Sequence, residues 1–199
     1  MLLIDQLAAL RDGASVHKPV SLPAMQAGIV EITGENGAGK TTFLRTIAGL
    51  HTQYVGHYES SELVYQGHRI GLDESLTPLQ NLAWSAALAD RVNAEDQVME
   101  TLNRVGMLRY ALTPVGRLSQ GQQRRIAMAR WCLDAAKLWL LDEPLTALDH
   151  SGQTLIVDLI QEAVSQGKLV VYSTHSRLDL NDKVELPIEP VADQQLEVA

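Results

Sequence analysis

The sequence predicts an α/β domain built on a mainly parallel sheet, and three observations predict it. Gly28-Ile29-Val30-Glu31-Ile32 has strand character and runs straight into a glycine-rich turn and a helix. Leu138-Trp139-Leu140-Leu141 and Leu169-Val170-Val171-Tyr172 are unbroken apolar quartets, the pattern of parallel strands buried on both faces. Between such strands lie segments with helical spacing of apolar residues, and strands alternating with helices are the signature of this class.

The elements follow in order. Thr41 to Ala48 reads as the helix after the first strand, with Phe43, Leu44 and Ile47 on one face and Gly49 placed to end it. Residues 79–113 carry helical periodicity, with Leu82, Leu88, Val98, Leu102 and Leu108 as expected core members. A second helical region runs from Gln120 to Ala136. Ser151 to Gln166 is an amphipathic helix with Leu155, Ile156, Leu159, Ile160 and Ala163 along one face and Gly167 as its stop. The tail from Pro187 is acidic and expected to be peripheral. No repeat, low-complexity tract or linker-like run divides the chain, so residues 1–199 read as one domain, with a helical region at about 79–136.

Composition narrows the partners. The 46% hydrophobic and 20% charged content is that of a globular protein. A net charge of −8 argues against a nucleic-acid partner, because phosphates would be repelled. Arg124, Arg125 and Arg130 form the one basic cluster worth naming. The single cysteine, Cys132, cannot close an internal disulfide, which fits a reducing compartment; it is expected to pack as a small buried residue. The N-terminus has no signal-peptide pattern, and no apolar run approaches the ~20 residues of a membrane-spanning helix. The expectation is a cytosolic chain, held at any membrane by a partner.

Gly34 to Thr42, GENGAGKTT, satisfies G-x-x-x-x-G-K-[ST] in the required place between strand and helix. Gly34, Gly37 and Gly39 let the backbone curl so that the N–H groups of the loop, through Glu35, Asn36 and Ala38, point at phosphates. The helix start adds its positive dipole end. Lys40 is placed for the β- and γ-phosphates and Thr41 for Mg²⁺, and Thr42, the residue after the motif, is a further candidate for nucleotide binding. These residues predict binding of a nucleoside triphosphate.

Lys137 to Pro144, KLWLLDEP, is an apolar strand ending in two acids. A strand of this kind delivers its last residues to the carboxyl edge of the sheet, where ligands bind. Asp142 suits Mg²⁺ there, and Glu143 suits polarisation of the attacking water. Tyr172-Ser173-Thr174-His175 repeats the arrangement, with His175 placed to reach the γ-phosphate and hold Glu143 and the water in register.

Leu118 to Arg125, LSQGQQRR, closely resembles the LSGGQ signature of ABC-type ATPases. The order of elements is similar too: phosphate loop, signature, the Asp-Glu pair, Leu145 to Asp149 as the loop after it, and His175. The resemblance spans residues 34–175 and implies a RecA-like core, a helical subdomain and an antiparallel β segment. That segment is expected to be reduced here, since Leu50 to Gln66 is short. It further implies ATP with Mg²⁺, and a head-to-tail homodimer in which Ser119, Gly121 and Gln122, with Asp149, meet the nucleotide held by the opposite copy. Gln120 stands where the commonest signature has glycine.

The family places a nucleotide-sensing glutamine thirteen positions before an asparagine in an E-N-L-like segment, here Gln80-Asn81-Leu82. His68 lies thirteen positions before Asn81, and Gln66 fifteen. His68 therefore takes the glutamine's place, with Gln66 as the competing candidate. A neutral imidazole, like a carboxamide, has one donor and one acceptor and can contact Mg²⁺ or water. Leu63 to Leu82 and Leu118 to Asp149 resemble one branch in particular, the ATP-binding subunits of cytochrome c maturation (haem exporter) complexes. This implies a peripheral subunit on the cytoplasmic face of the bacterial inner membrane, bound to a membrane-spanning subunit of that complex. It implies work on haem export or on release of a haem-loaded chaperone; an ATPase of another small transporter, and after it a non-transport ABC ATPase, are the alternatives. Residues 1–33 hold no Phe, Tyr or Trp to stack on adenine; Arg11, then His17, are the candidates in its place.

Overall fold

The structure, a computed structural model, describes residues 1–88, 94–175 and 178–191. Its centre is a five-stranded sheet of β4 (Gly28–Thr33), β6 (Leu63–Gln66), β7 (Leu138–Asp142), β8 (Leu169–Ser173) and β9 (Lys183–Pro187), in the order β6-β7-β8-β4-β9. All four pairings are parallel. A second sheet joins β1 (Leu2–Arg11) antiparallel to β2 (Ala14–Ser15), β3 (Val20–Met25) and β5 (Tyr54–Ser60). The helices are α1 (Lys40–Ile47), α2 (Pro78–Leu88), α3 (Ala94–Arg104), α4 (Gln120–Leu133) and α5 (His150–Ser165).

Two-sided burial explains the apolar quartets. Leu138, Leu140, Leu169, Val171, Val30 and Ile32 face a layer made by the antiparallel sheet and α1, with Leu7, Leu22, Phe43 and Ile47. The intervening Trp139, Leu141, Val170, Tyr172 and Ile29 face the opposite layer, made by α2 to α5, with Leu102, Ile126, Trp131 and Ile156. Alternate residues of a strand point to opposite faces, so a strand between two layers needs an apolar residue at every position. Each large side chain fully buried this way contributes about 1.5–3 kcal/mol.

The helix expected at Thr41 begins one residue earlier, and Phe43, Leu44 and Ile47 are buried as expected. The periodic stretch 79–113 divides into α2, α3 and a 3-10 turn at Leu108–Tyr110. Leu82, Val98 and Leu102 are core residues, whereas Leu108 is 38% exposed; Leu88 lies outside the residues whose side chains are described. Leu155 and Cys132 pack against the core while only partly buried. Burial pushes the Cys132 thiol above its ordinary pKa.

The expectation of a peripheral tail from Pro187 is corrected. Pro187 ends β9, Ile188 is 1% exposed and donates its N–H to Thr33 O at 2.8 Å, and Pro190 bridges to His17. Four alternating residues of β9 lack the apolar run that marks an inner strand, because β9 lies at the sheet edge. An ion pair between Lys183 and Glu31 joins it to β4.

Candidate functional site

The carboxyl ends of four neighbouring strands assemble the site. In the order β6-β7-β8-β4 they deliver the Gln66–Gly71 loop, Asp142 with Glu143, Ser173 with His175, and the phosphate loop. With strands about 4.8 Å apart, these four ends span roughly 14 Å.

The phosphate loop depends on its glycines at two positions. Gly34 has φ +143°, and a Cβ there would lie 2.4 Å from Ile188 O. Gly39, at φ +99°, caps α1; a Cβ there would lie 2.7 Å from Val16 Cγ1. Lys40 is 6% exposed, and its ammonium donates to Gly34 O at 2.7 Å and Glu35 O at 2.9 Å. An ammonium has three donors, so one remains for a phosphate.

His17 underlies this loop. The ring packs edge-on to Phe43 of α1 at 5.4 Å between centroids. Nδ1 donates to Lys18 O at 2.8 Å, and Nε2 accepts from Ala9 N at 3.2 Å. Burial holds its pKa below the ordinary histidine value, with the Lys18 carbonyl opposing. Since His17 is 0% exposed, it cannot stack on a base, which corrects that expectation. Arg11 is exposed at the β1–β2 turn. It keeps a planar guanidinium with no hydrogen bond or ion pair among the described residues.

At the end of β7, Asp142 is 2% exposed and accepts a hydrogen bond from Ser173 Oγ at 2.8 Å. Glu143 follows in the left-handed region at φ +50°. His175 Nε2 lies 2.7 Å from Glu143 Oε1. A recess of about 80 Å³ beside this pair, shared with Thr174 and Thr146, has room for water against both groups.

Gln66 and His68 have different environments. Gln66 is 3% exposed, and Nε2 donates to Gly67 O at 3.0 Å and Arg69 O at 3.2 Å. His68 is exposed, with no hydrogen bond among the described residues, and lines a cleft of about 540 Å³ with Thr41, Arg45 and Tyr65. Burial, with Asp142 nearby, pushes the Tyr65 pKa up to about 12, so the phenol stays protonated. Arg130 of α4 holds the same loop from the other side, donating to Ile70 O at 3.1 Å and Gly71 O at 3.2 Å. Asn81 closes it below: Oδ1 accepts from Asp73 N at 2.8 Å and Nδ2 donates to Asp73 O at 3.0 Å.

The signature forms the start of α4 through a capping box. Gln122 N donates to Ser119 Oγ at 3.3 Å, and Ser119 N donates to Gln122 Oε1 at 2.8 Å. Gly121 lies close to the neighbouring loop, 3.1 Å from Ala147 O to a hypothetical Cβ. Asp149 caps α5 by accepting from Gly152 N at 2.8 Å, and Arg125 ties it to α4 at 3.1 Å. The Gly152 N–H first, then Ser151 and Arg125, hold the Asp149 carboxyl below its usual pKa. Arg124 is 4% exposed, with Nε donating to Thr146 O at 3.3 Å and Nη1 unpaired. Burial lowers its pKa while the Glu143 and Asp142 carboxylates raise it.

Ser173, Arg124 and Arg130 belong to the site through contacts between distant segments and carry no individual motif in the sequence. Ser173 stands two positions before His175, and that alternation on one strand end was the available signal. Among the described residues no group of three His, Cys, Asp or Glu side chains gathers to hold a metal unaided. The Thr41 hydroxyl and Asp142 carboxylate are hard oxygen donors few in number. That set fits Mg²⁺, which takes one or two protein ligands plus phosphate oxygens.

The family described as ABC transporter matches residues 17–146, and the chain belongs to that family of ATP-binding subunits. Within it, the chain belongs to the CcmA proteins. The cytochrome c biogenesis ATP-binding export protein CcmA of Alcanivorax borkumensis is 39% identical over 183 residues, covering 89% of this chain and 83% of that protein. CcmA of Pseudomonas aeruginosa is 38% identical over 193 residues, covering 90% and 95%. Among solved structures, an ABC transporter ATP-binding protein from Pyrococcus furiosus superposes with a TM-score of 0.84 at 24% identity, covering 96% of this chain and 99% of that one. An ATP-binding cassette solved as a dimer in a post-hydrolysis state with ADP and Pi superposes at 0.80, also 24% identical, covering 88% of each. These likenesses establish an ABC ATPase fold.

The buried imidazole makes stability pH-dependent. The unfolded histidine, with a pKa of about 6.5, takes a proton more readily than folded His17, so stability falls as pH drops through that value and below. Melting temperatures measured between pH 7.5 and 5 are expected to decline less steeply for His17→Gln than for the wild type; equal slopes would show that His17 is not the group responsible.

Proposed function

We propose that this chain is the ATP-hydrolysing subunit of an ABC exporter complex for cytochrome c biogenesis. The observation that carries it is the 39% identity to a CcmA protein across 89% of the chain, on a fold that gathers the candidate ATPase residues at one sheet edge. Lys40 and the loop N–H groups bind the β- and γ-phosphates, whose charge the α1 N-terminus favours. Thr41 and Asp142 would hold Mg²⁺, which would supply charge neutralisation on the phosphate oxygens. Glu143 orients the attacking water and draws on its proton, and His175 fixes the Glu143 carboxylate. His68 senses the nucleotide, since Gln66 is already bonded within its own loop.

Two copies close head to tail on ATP, each placing the α4 N-terminus, with Ser119, Gly121 and Gln122, on the other's γ-phosphate. In the isolated chain the side chains of Ser119 and Gln122 cap the helix, and that cap fixes the backbone N–H groups in direction. The chain sits on the cytoplasmic face of the inner membrane; no helix among the described residues is long and apolar enough to cross it. Its membrane-spanning partner docks beside Trp84, which is 71% exposed above a cleft of about 290 Å³ lined by Leu76, Asn81, Ser85 and Arg130. Arg130 also holds the Ile70–Gly71 backbone, so displacement at that cleft reaches the His68 loop. ATP then drives haem export or release of a haem-loaded chaperone.

Glu143→Gln is expected to bind ATP, lower turnover at least about 100-fold and accumulate a dimer on size exclusion with ATP; wild-type turnover would sink the role given to Glu143. Tagged wild-type chain, purified from its own host in mild detergent, is expected to bring down cytochrome c maturation membrane subunits. Trp84→Glu should lose them while hydrolysing ATP normally, and recovery of a different permease would replace the assigned complex. His68→Ala is expected to keep ATP affinity but lose stimulation of turnover by the membrane partner; unchanged stimulation would return the sensing role to Gln66.

A further inference from the structure

We propose that Ser173 is a positioning residue for hydrolysis: its hydroxyl joins the Asp142 carboxylate to the backbone N–H of Glu143 and so sets both acids of the site at once. The inference rests on the roles proposed above for Asp142 and Glu143. Ser173 closes β8 and is 0% exposed. Its Oγ donates to Asp142 Oδ1 at 2.8 Å. The Glu143 N–H donates to Ser173 Oγ at 3.2 Å and to the Ser173 carbonyl at 3.1 Å. A hydroxyl has one proton to give and lone pairs to receive, so the polarity of the chain is fixed: Glu143 N–H to Ser173 Oγ–H to Asp142.

This arrangement meets two requirements. The first concerns Glu143, whose φ of +50° lies in the left-handed region, where a residue other than glycine is strained. Such a conformation persists only where its surroundings over-determine it. Ser173 takes the Glu143 N–H with both of its oxygens, while His175, two positions on, takes the carboxylate at 2.7 Å. One strand end thus grips the residue by backbone and by side chain. The second concerns Asp142. Its Oδ1 is occupied by the Ser173 hydroxyl, which fixes the rotation of the carboxyl plane and leaves Oδ2 as the oxygen to present to a cation. Alanine at 173 would leave Asp142 Oδ1 and the Glu143 N–H without this partner in a buried place, where an unmade hydrogen bond is costly.

The test uses the full chain with the substitutions Ser173→Ala, Ser173→Cys and Ser173→Thr. Turnover is measured against ATP concentration, ATP affinity is measured in EDTA, and Mn²⁺ affinity of the ATP-bound protein is read from the electron paramagnetic resonance of free Mn²⁺. For Ser173→Ala the expected result is a kcat lowered at least about tenfold, equivalent to about 1.4 kcal/mol. Metal-free ATP affinity should stay within about twofold and Mn²⁺ affinity should fall several-fold. Ser173→Thr, which keeps the hydroxyl, should restore both. Ser173→Cys is nearly isosteric and a weak donor, so it carries the same test if the alanine variant does not fold. Wild-type kcat and Mn²⁺ affinity in Ser173→Ala or Ser173→Cys would overturn the proposal. So would equal impairment of Ser173→Thr and Ser173→Ala, or a loss of metal-free ATP affinity in step with kcat, either of which marks a packing role. Normal turnover of Glu143→Gln would overturn the roles beneath it, whereas a stalled Glu143→Gln beside an unaffected Ser173→Ala overturns this inference alone.

Discussion

Two-sided burial of the five-stranded parallel sheet is the constraint on which the rest depends. It requires an apolar residue at every position of β7 and β8 until the strand leaves the core, and there the first polar residues emerge together. Asp142 and Ser173 are register partners at that boundary. The order β6-β7-β8-β4 brings loops that are distant in sequence to one edge. The phosphate loop, the oxygen proposed to hold Mg²⁺ and the acid proposed to orient water are then neighbours because the strands are. Asp142 and Ser173 are short side chains held at strand ends, so little ordering entropy is lost in placing them.

Around this edge the groups proposed for the chemistry also serve local structure. Lys40 satisfies two carbonyls of its own loop while retaining a donor. Ser119 and Gln122 close the first turn of α4 and thereby aim its N-terminus outward. Asp149 caps α5 and is tied by Arg125 to α4, so the loop between the acids and α5 cannot shift without α4. Arg130 connects α4 to the His68 loop in the same way. The helical layer and the nucleotide edge are thus joined by hydrogen bonds at several places. That is the arrangement a transporter ATPase needs if a membrane partner is to feel the nucleotide.

His17 shows how far support for the site extends. It sits between the antiparallel sheet and α1, with the ring against Phe43 and a carbon near Gly39. Its neutrality matters because Nε2 must accept the Ala9 N–H; a proton there would set two donors face to face. The chain end closes the same region, with Ile188 backing Gly34 and Pro190 bridging to His17.

By itself the sequence determined the class of fold, the phosphate loop, the Asp-Glu pair, His175 and the signature, because each is carried by adjacent residues. Period, glycine spacing and the last residues of an apolar run are local properties, and local order survives without knowledge of the fold. The tertiary structure decided what depends on contacts between distant segments. It split the stretch after residue 78 into separate helices, put an edge strand at Lys183–Pro187 and set Ile188 behind Gly34. It buried His17 and left His68 open while Gln66 braced its loop. It also placed the Ser173 hydroxyl between the two acids, a relation that no spacing in a single strand can show. The physical reason is that strand pairing, burial and side-chain hydrogen bonding across a sheet are set by which elements become neighbours, and that is a property of the whole chain.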